Sequence, residues 1–135
     1  MTETIFGQVI SKANNYEIGT GDGERHIIKS RRLREYEQLF MRQCSIYRGR
    51  MIDKPFALHI VVYESMKRYD LDNALKTVLD CLQMAGAIKD DNLCETIKAY
   101  KRVDSRNPRI MFRIEVLEPD LFGEPQHKSI GHEKP

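Results

Sequence analysis

The chain has 135 residues, enough for one domain and too few for a second independent core. Hydrophobic residues at 41% and charged residues at 31% exclude a disordered chain, and the apolar run around Ile60–Tyr63 falls far short of the roughly 18 residues of a membrane span. Three cysteines without a C-x-x-C pair, and no signal-peptide pattern in residues 1–10, lead to the expectation of a cytosolic, reduced protein with neither a disulfide framework nor a cysteine zinc site. The net charge of +2 hides blocks of alternating sign: residues 24–68 and 92–113 are basic, whereas residues 69–91 carry five Asp against two Lys.

In chain order, alternation at Ile5–Ile10 predicts a first strand. Residues 12–28, with Asn14-Asn15, Gly19, Gly21 and Gly23, read as a long loop. Ser30 can cap a helix running to about Tyr47, with Leu33, Tyr36, Phe40, Cys44 and Tyr47 at spacings of three and four. Phe56–Tyr63 is apolar on both faces apart from His59 and reads as a central strand. Asp72–Ala85 reads as a second helix with the stripe Leu75, Val78, Leu79, Leu82 and Ala85, closed by Gly86 in a left-handed turn with Ile88 as the apolar contact beyond it. Glu95–Val103 and Arg109–Leu117 read as strands joined in hairpin fashion through Ser105-Arg106-Asn107-Pro108. The expected fold is α+β: a single small domain over residues 1–118, in which a four-stranded mixed sheet carries two packed helices in the order β-α-β-α-β-β. Residues 119–135 are expected as a mobile C-terminal tail.

The chemistry concentrates in Arg68-Tyr69-Asp70-Leu71-Asp72-Asn73, Lys76, Asp80 and Asp90-Asp91. Asp70 and Asp72 stand where a buried strand hands over to a helix, and a spacing of two sends both side chains to one side of an extended junction. Asp72, Lys76 and Asp80 fall on one helical stripe away from the apolar one. Carboxylates crowded in this way need a counter-charge, and a hard divalent cation is the usual one; Mg²⁺ takes one or two carboxylates plus phosphate oxygens and waters. Each residue also has a plain structural reading. Asp72 could be an N-cap, Asp72–Lys76–Asp80 a run of surface ion pairs, and Asp90-Asp91 a turn after a glycine cap. For Asp80 the surface reading is preferred. Asp70 and Asp72 together are harder to dismiss, because two acids do not improve a cap that one supplies.

Asp70-Leu71-Asp72-Asn73, Lys76, Asp80, Ala85-Gly86 and Asp90-Asp91 resemble the signature of the RusA family of Holliday-junction resolvases, and Ser11-Lys12-Ala13-Asn14-Asn15-Tyr16 is similar to that family's Asn-bearing loop, although its prolines are missing. The resemblance covers about residues 5–117. It implies a homodimeric, Mg²⁺-dependent endonuclease, with Mn²⁺ able to substitute, that nicks four-way DNA junctions symmetrically in recombination and repair. By position, Asp70, Asp72 and Asp91 match the metal-binding catalytic aspartates, Lys76 the catalytic lysine, and Asp90 an acidic position beside them. Arg31, Arg32, Arg34, Lys67, Arg68, Lys98, Lys101, Arg102, Arg106 and Arg109 become candidates for holding DNA phosphates. His26, His59, His127 and His132 have no metal-ligand spacing, and the cysteines read as core thiols. Two other readings stay open: a branched-DNA-binding module without catalysis, and a nuclease acting on other structured nucleic acids.

The length of the second helix carries one more expectation. Fourteen residues span about 21 Å, while the five residues from Gly86 to Asp91 reach at most about 18 Å when fully extended. A homodimer is therefore expected in which Asp90 or Asp91 of one chain approaches Asp70 and Asp72 of the other, across a two-fold axis.

Overall fold

Alternation along Phe56–Glu64 sorts the fold. Phe56, Leu58, Ile60, Val62 and Glu64 are all buried on one side, and His59, Val61 and Tyr63 are half-buried on the other. In the computed structural model, which describes residues 1–11, 16–21, 24–119 and 125–126, with side chains for 1–11 and 28–117, this segment is β4. The sheet order is β1-β6-β4-β5, with β1 at Glu3–Phe6, β5 at Cys94–Val103 and β6 at Arg109–Val116. β4 pairs antiparallel with β6 and parallel with β5, and β1 pairs antiparallel with β6. The expected α+β architecture, two helices on a four-stranded mixed sheet, is the observed one.

Helix α1, Arg31–Gln43, starts at Ser30, whose Oγ accepts from Leu33 N at 3.2 Å, and buries Leu33, Tyr36 and Phe40. It ends at Gln43, a turn before the expected Tyr47, because Cys44 is extended. The carboxylate of buried Glu3 then accepts from Ile46 N and Tyr47 N at 2.8 and 3.2 Å, taking over donors that a longer helix would have used. Phe112 of β6 stacks between Phe40 and Tyr47, with ring centroids 6.1 and 5.7 Å away. Burying a ring of this size contributes roughly 1.5–3 kcal/mol.

Helix α2, Leu71–Met84, forms the crossover between the parallel strands β4 and β5, as parallel pairing requires. It ends as expected. Gly86 has φ +69°, Gly86 N donates to Gln83 O and Ala87 N to Leu82 O, the paired bonds of a Schellman turn, and Ile88 is buried beyond it. Its start differs: the helix begins at Leu71, so Asp70 rather than Asp72 is the capping residue.

Three further expectations are corrected. β1 stops at Phe6, not Ile10, because Gly7 turns the backbone at φ +119° and donates to Pro108 O. The loop read over 12–28 contains an antiparallel pair, β2 at Tyr16–Gly21 and β3 at Glu24–Lys29, joined by a two-residue connection. β5 and β6 are not a hairpin. The chain steps across β4, so β5 lies at the sheet edge and β6 inside. In the C-terminal stretch, β7 (Glu118–Pro119) pairs with β8 (Pro125–Gln126); the rest of that stretch, and residues 12–15 of the Asn-bearing segment, lie outside the described residues.

Candidate active site

β4 delivers the chain to the start of α2 through the loop 65–69, and that loop is held from several sides. Lys101 of β5 donates through Nζ to Lys67 O at 2.9 Å and Tyr69 O at 2.8 Å. Gln8 Oε1 accepts from Ser65 N at 2.7 Å, and Asp104 N donates to Glu64 O at 2.9 Å. Asp70 follows at φ −82°, ψ 131°, and Asp72 sits in the first helical turn; both are exposed.

The capping reading fails on a specific point. Asp70 occupies the cap position, yet its side chain makes no cap hydrogen bond. Its Oδ2 instead receives Asn73 Nδ2 at 3.5 Å, leaving the carboxylate turned toward solvent. The positive end of the helix dipole favours ionised carboxylates here. Lys76 is exposed one turn beyond Asp72, and among the described residues these two form no ion pair.

Asp90 and Asp91 lie at the other end of α2. Asp90 caps the single-turn helix Asp91–Leu93 by accepting from Asn92 N at 2.9 Å, and Asp91 N donates to Gln83 Oε1 at 3.1 Å. A shallow cleft of about 470 Å³ is lined by Lys29, Asp80, Gln83, Met84 and Asp91. The Asp91 pKa is raised by its hydrogen bond with Asp90, by desolvation, and by the charges of Asp90 and Asp80. Asp80, read from the sequence as a surface residue, lines the same cleft as Asp91. From Asp72 to Gln83 the helix rises about 16 Å. One chain thus brings together Asp70 with Asp72, and separately Asp80, Asp90 and Asp91, but does not join the two sets. Among the described residues no group of three or more His, Cys, Asp or Glu converges on one point.

The sequence reading missed one residue. Glu64, just past the expected Phe56–Tyr63 strand, is the last residue of β4 and only 1% exposed. Its Oε2 has no hydrogen-bond partner. Burial raises its pKa, and the Asp70 charge adds to the rise, while Lys101 and Gln8 act in the opposite direction. The period of two from Phe56 was the signal available in the sequence.

The ten candidate phosphate-binding residues separate by what they already hold. Arg31, Arg32, Lys67, Arg68, Lys98, Arg102 and Arg106 are exposed. Arg34 donates to Lys29 O at 2.6 Å, Lys101 clamps the loop, and Arg109 pairs with Asp104 at 2.9 Å while lying 3.8 Å over the Tyr63 ring. That Arg109 contact is also the chief reason the Asp104 pKa is lowered. On the sheet face away from the helices, His59 pairs with Glu115 at 2.8 Å, so its role is within the sheet.

Carboxylate oxygens are the donors that Mg²⁺ or Mn²⁺ takes, and Asp70 and Asp72, both exposed, are the carboxylates of that kind that one chain offers at the start of α2. The family model described as Endodeoxyribonuclease RusA matches residues 7–115. A crossover junction endodeoxyribonuclease RusA of Aquifex aeolicus (strain VF5) is 28% identical over 69 residues, covering 50% of this chain and 55% of that protein. The chain thus spans about half the length of this curated relative.

Proposed function

Since the chain belongs to the RusA endodeoxyribonuclease family, we propose that it is a homodimeric, Mg²⁺-dependent endonuclease that resolves four-way DNA junctions by paired, symmetric phosphodiester hydrolysis. The observation that carries this reading is the Asp70/Asp72 pair: exposed, released from capping duty, and backed by a loop with basic Lys67 and Arg68.

Asp70 and Asp72 would hold the divalent ion, with Asp91, and Asp90 beside it, supplied by the partner chain. A bound ion of this kind makes a water nucleophilic near neutral pH and stabilises charge on the phosphate. Lys76, one turn into α2 on the same stripe, reaches the phosphate or its leaving oxygen and stabilises the charge that develops there. The exposed basic residues hold phosphates on either side and fix the register of the DNA without reading sequence. Two-fold symmetry supplies two like sites, which symmetric nicking of a symmetric junction needs.

The deciding experiment incubates four-way, Y-shaped and linear DNA with the protein in Mg²⁺ or in EDTA. Paired nicks in the four-way junction alone, lost in EDTA, support the reading. Binding without cleavage in Mg²⁺ leaves a branched-DNA-binding module. Cleavage of the Y-shaped substrate at an equal rate leaves a nuclease of broader substrate range.

A further inference from the structure

Alternation gives a sheet two faces, and the core under the helices uses only one of them here. On β4 the other face is Ala57, His59, Val61 and Tyr63, and strand pairing extends it in rows. Phe6, Arg109, Tyr63 and Arg102 stand opposite one another across β1, β6, β4 and β5; Thr4, Met111, Val61 and Tyr100 form the next row, and Arg113, His59 and Lys98 the one after. Val61, Tyr63 and Met111 are half-buried yet take no part in the core. Two rings stand in the open, Tyr100 at 56% and Phe6 at 51% exposure. A groove of about 380 Å³ lies on this face, and its lining includes Val61, Met111, Tyr63, Tyr100, Lys98 and Arg113.

The charges decide what such a face accepts. Among the residues in register on it, the acid is Glu115, whose carboxylate lies 2.8 Å from His59. Arg109 is offset by Asp104 at 2.9 Å and lies 3.8 Å over the Tyr63 ring. Among the described residues, Lys98, Arg102 and Arg113 form no ion pair. The face is therefore cationic, and a second copy of the chain laid on it would set like charges against one another. Tyr100 stands between Lys98 and Arg102 on the same face of β5, with the Arg102 guanidinium 5.5 Å from its ring centroid. An exposed ring flanked by cations suits a polyanion whose bases are free to stack, which is how single strands are held without sequence preference. A duplex has its bases stacked on one another and gives such a ring nothing to hold.

We infer that the open face of the sheet is a binding site for single-stranded DNA, with a base stacked on Tyr100 and phosphates on Lys98, Arg102 and Arg113. Tyr63 comes just before Glu64, the last residue of β4, so the face ends where the loop to Asp70 begins. A strand unpaired at a branch point has a path from the start of α2 onto the sheet. The site needs no cation and is independent of whether the chain cuts DNA.

The test uses the full chain in EDTA, where cleavage plays no part. Labelled oligothymidine and a duplex of the same length are titrated by fluorescence anisotropy at several salt concentrations. Tyr100→Ala is expected to weaken the single strand at least about fivefold and to leave the duplex unchanged. Lys98→Gln and Arg113→Gln should each lower the slope of log K against log salt by about 0.7 for the single strand. Bromodeoxyuridine in the oligonucleotide should photocross-link to the peptide that carries Tyr100. Wild-type affinity for the single strand in Tyr100→Ala overturns the inference. Equal weakening of strand and duplex also overturns it, leaving a surface for phosphates alone. A dimer that dissociates on Tyr100→Ala, read by sedimentation, overturns it in favour of an interface between copies. Junction cleavage in Mg²⁺, which measures the Asp70/Asp72 site, is scored separately.

Discussion

At its start, α2 presents Asp70 and Asp72 on a loop tied by Lys101, Gln8 and Asp104; at its end, Asp80 meets Asp91 through a turn held by Asp90 and Gln83. The first end joins two strands of the sheet, so its position follows the core. The second relies on the Schellman turn at Gly86, on the segment 49–52 that pairs with 85–89, and on exposed Gln83. Along the helix axis the two ends stand about 16 Å apart, and among the described residues no three carboxylates gather at either. Under the proposed dimer, the half-site at the start of α2 in one protomer would meet the half-site at the end of α2 in its partner.

Removing either half should abolish turnover. Asp70→Asn and Asp72→Asn are expected to eliminate junction cleavage while DNA binding stays intact or tightens, since a charge that repels phosphate is lost together with a metal ligand. Cleavage assays and gel shifts on the same folded protein check this, and joint loss of both activities breaks it. Mixing the two halves sharpens the comparison. Inactive Asp70→Asn and inactive Asp91→Asn chains, allowed to exchange subunits, would form heterodimers in which one site is intact, so nicking should return to about a quarter of wild type for random pairing. If each chain completes its own site, the mixture stays dead.

Lys76 acts at the start of α2 alone. Lys76→Ala is expected to slow cleavage at least about 100-fold and to change stability by no more than a few tenths of a kcal/mol, as suits an exposed side chain without an ion pair. Single-turnover rates and a denaturant melt measure the two effects; a fully active variant returns Lys76 to the surface.

The smallest effect is a dependence of stability on pH. Burial holds the Glu64 pKa above its unfolded value, so the folded state binds a proton more tightly than the unfolded state. The resulting stability is fully present below the unfolded glutamate value, about pH 4.3, and declines as pH rises through the folded one. The groups acting on Glu64 are Lys101 on β5, Gln8 and Asp70. Melting temperatures in EDTA from about pH 4 to about pH 8 should therefore show Glu64→Gln gaining on wild type with rising pH. A constant difference counts against a buried, unpartnered carboxylate.

Much of this was legible from local pattern. Ser30, the stripe of α1, the central character of β4 and the Gly86 turn all follow from spacing and backbone preference, and the acid positions from their crowding. The errors arose where distant pairing decides. Ser105–Pro108 has hairpin chemistry, but β5 carries Lys98, Lys101 and Arg102 and suits an edge, while β6 carries Ile110 and Phe112 into the core; the edge charges were the better guide. Glycines in 19–23 masked the β2–β3 pair. Glu64 was missed because a charged residue after an apolar run looks like the strand's exit, although its register was inward.

The sheet order also governs when this protein becomes a protein during synthesis. β6 ends the four-stranded sheet in sequence yet lies inside it, between β1 and β4. Glu3–Phe6 has no partner until Arg109–Phe112 exists, and Tyr47 waits for both Phe112 and Ile114 N, which donates to its hydroxyl at 3.2 Å. Contacts separated by about a hundred residues must close before the core is sealed, and such closure slows folding and leaves apolar strands uncovered on the nascent chain. A chain halted before Arg109 has its acidic signature complete and β4 unsupported on one side. Asp104, whose amide ties the end of β4 ahead of the loop to Asp70, is then without its ion-pair partner Arg109, so the last strand of the sheet to emerge also completes the support beneath the site.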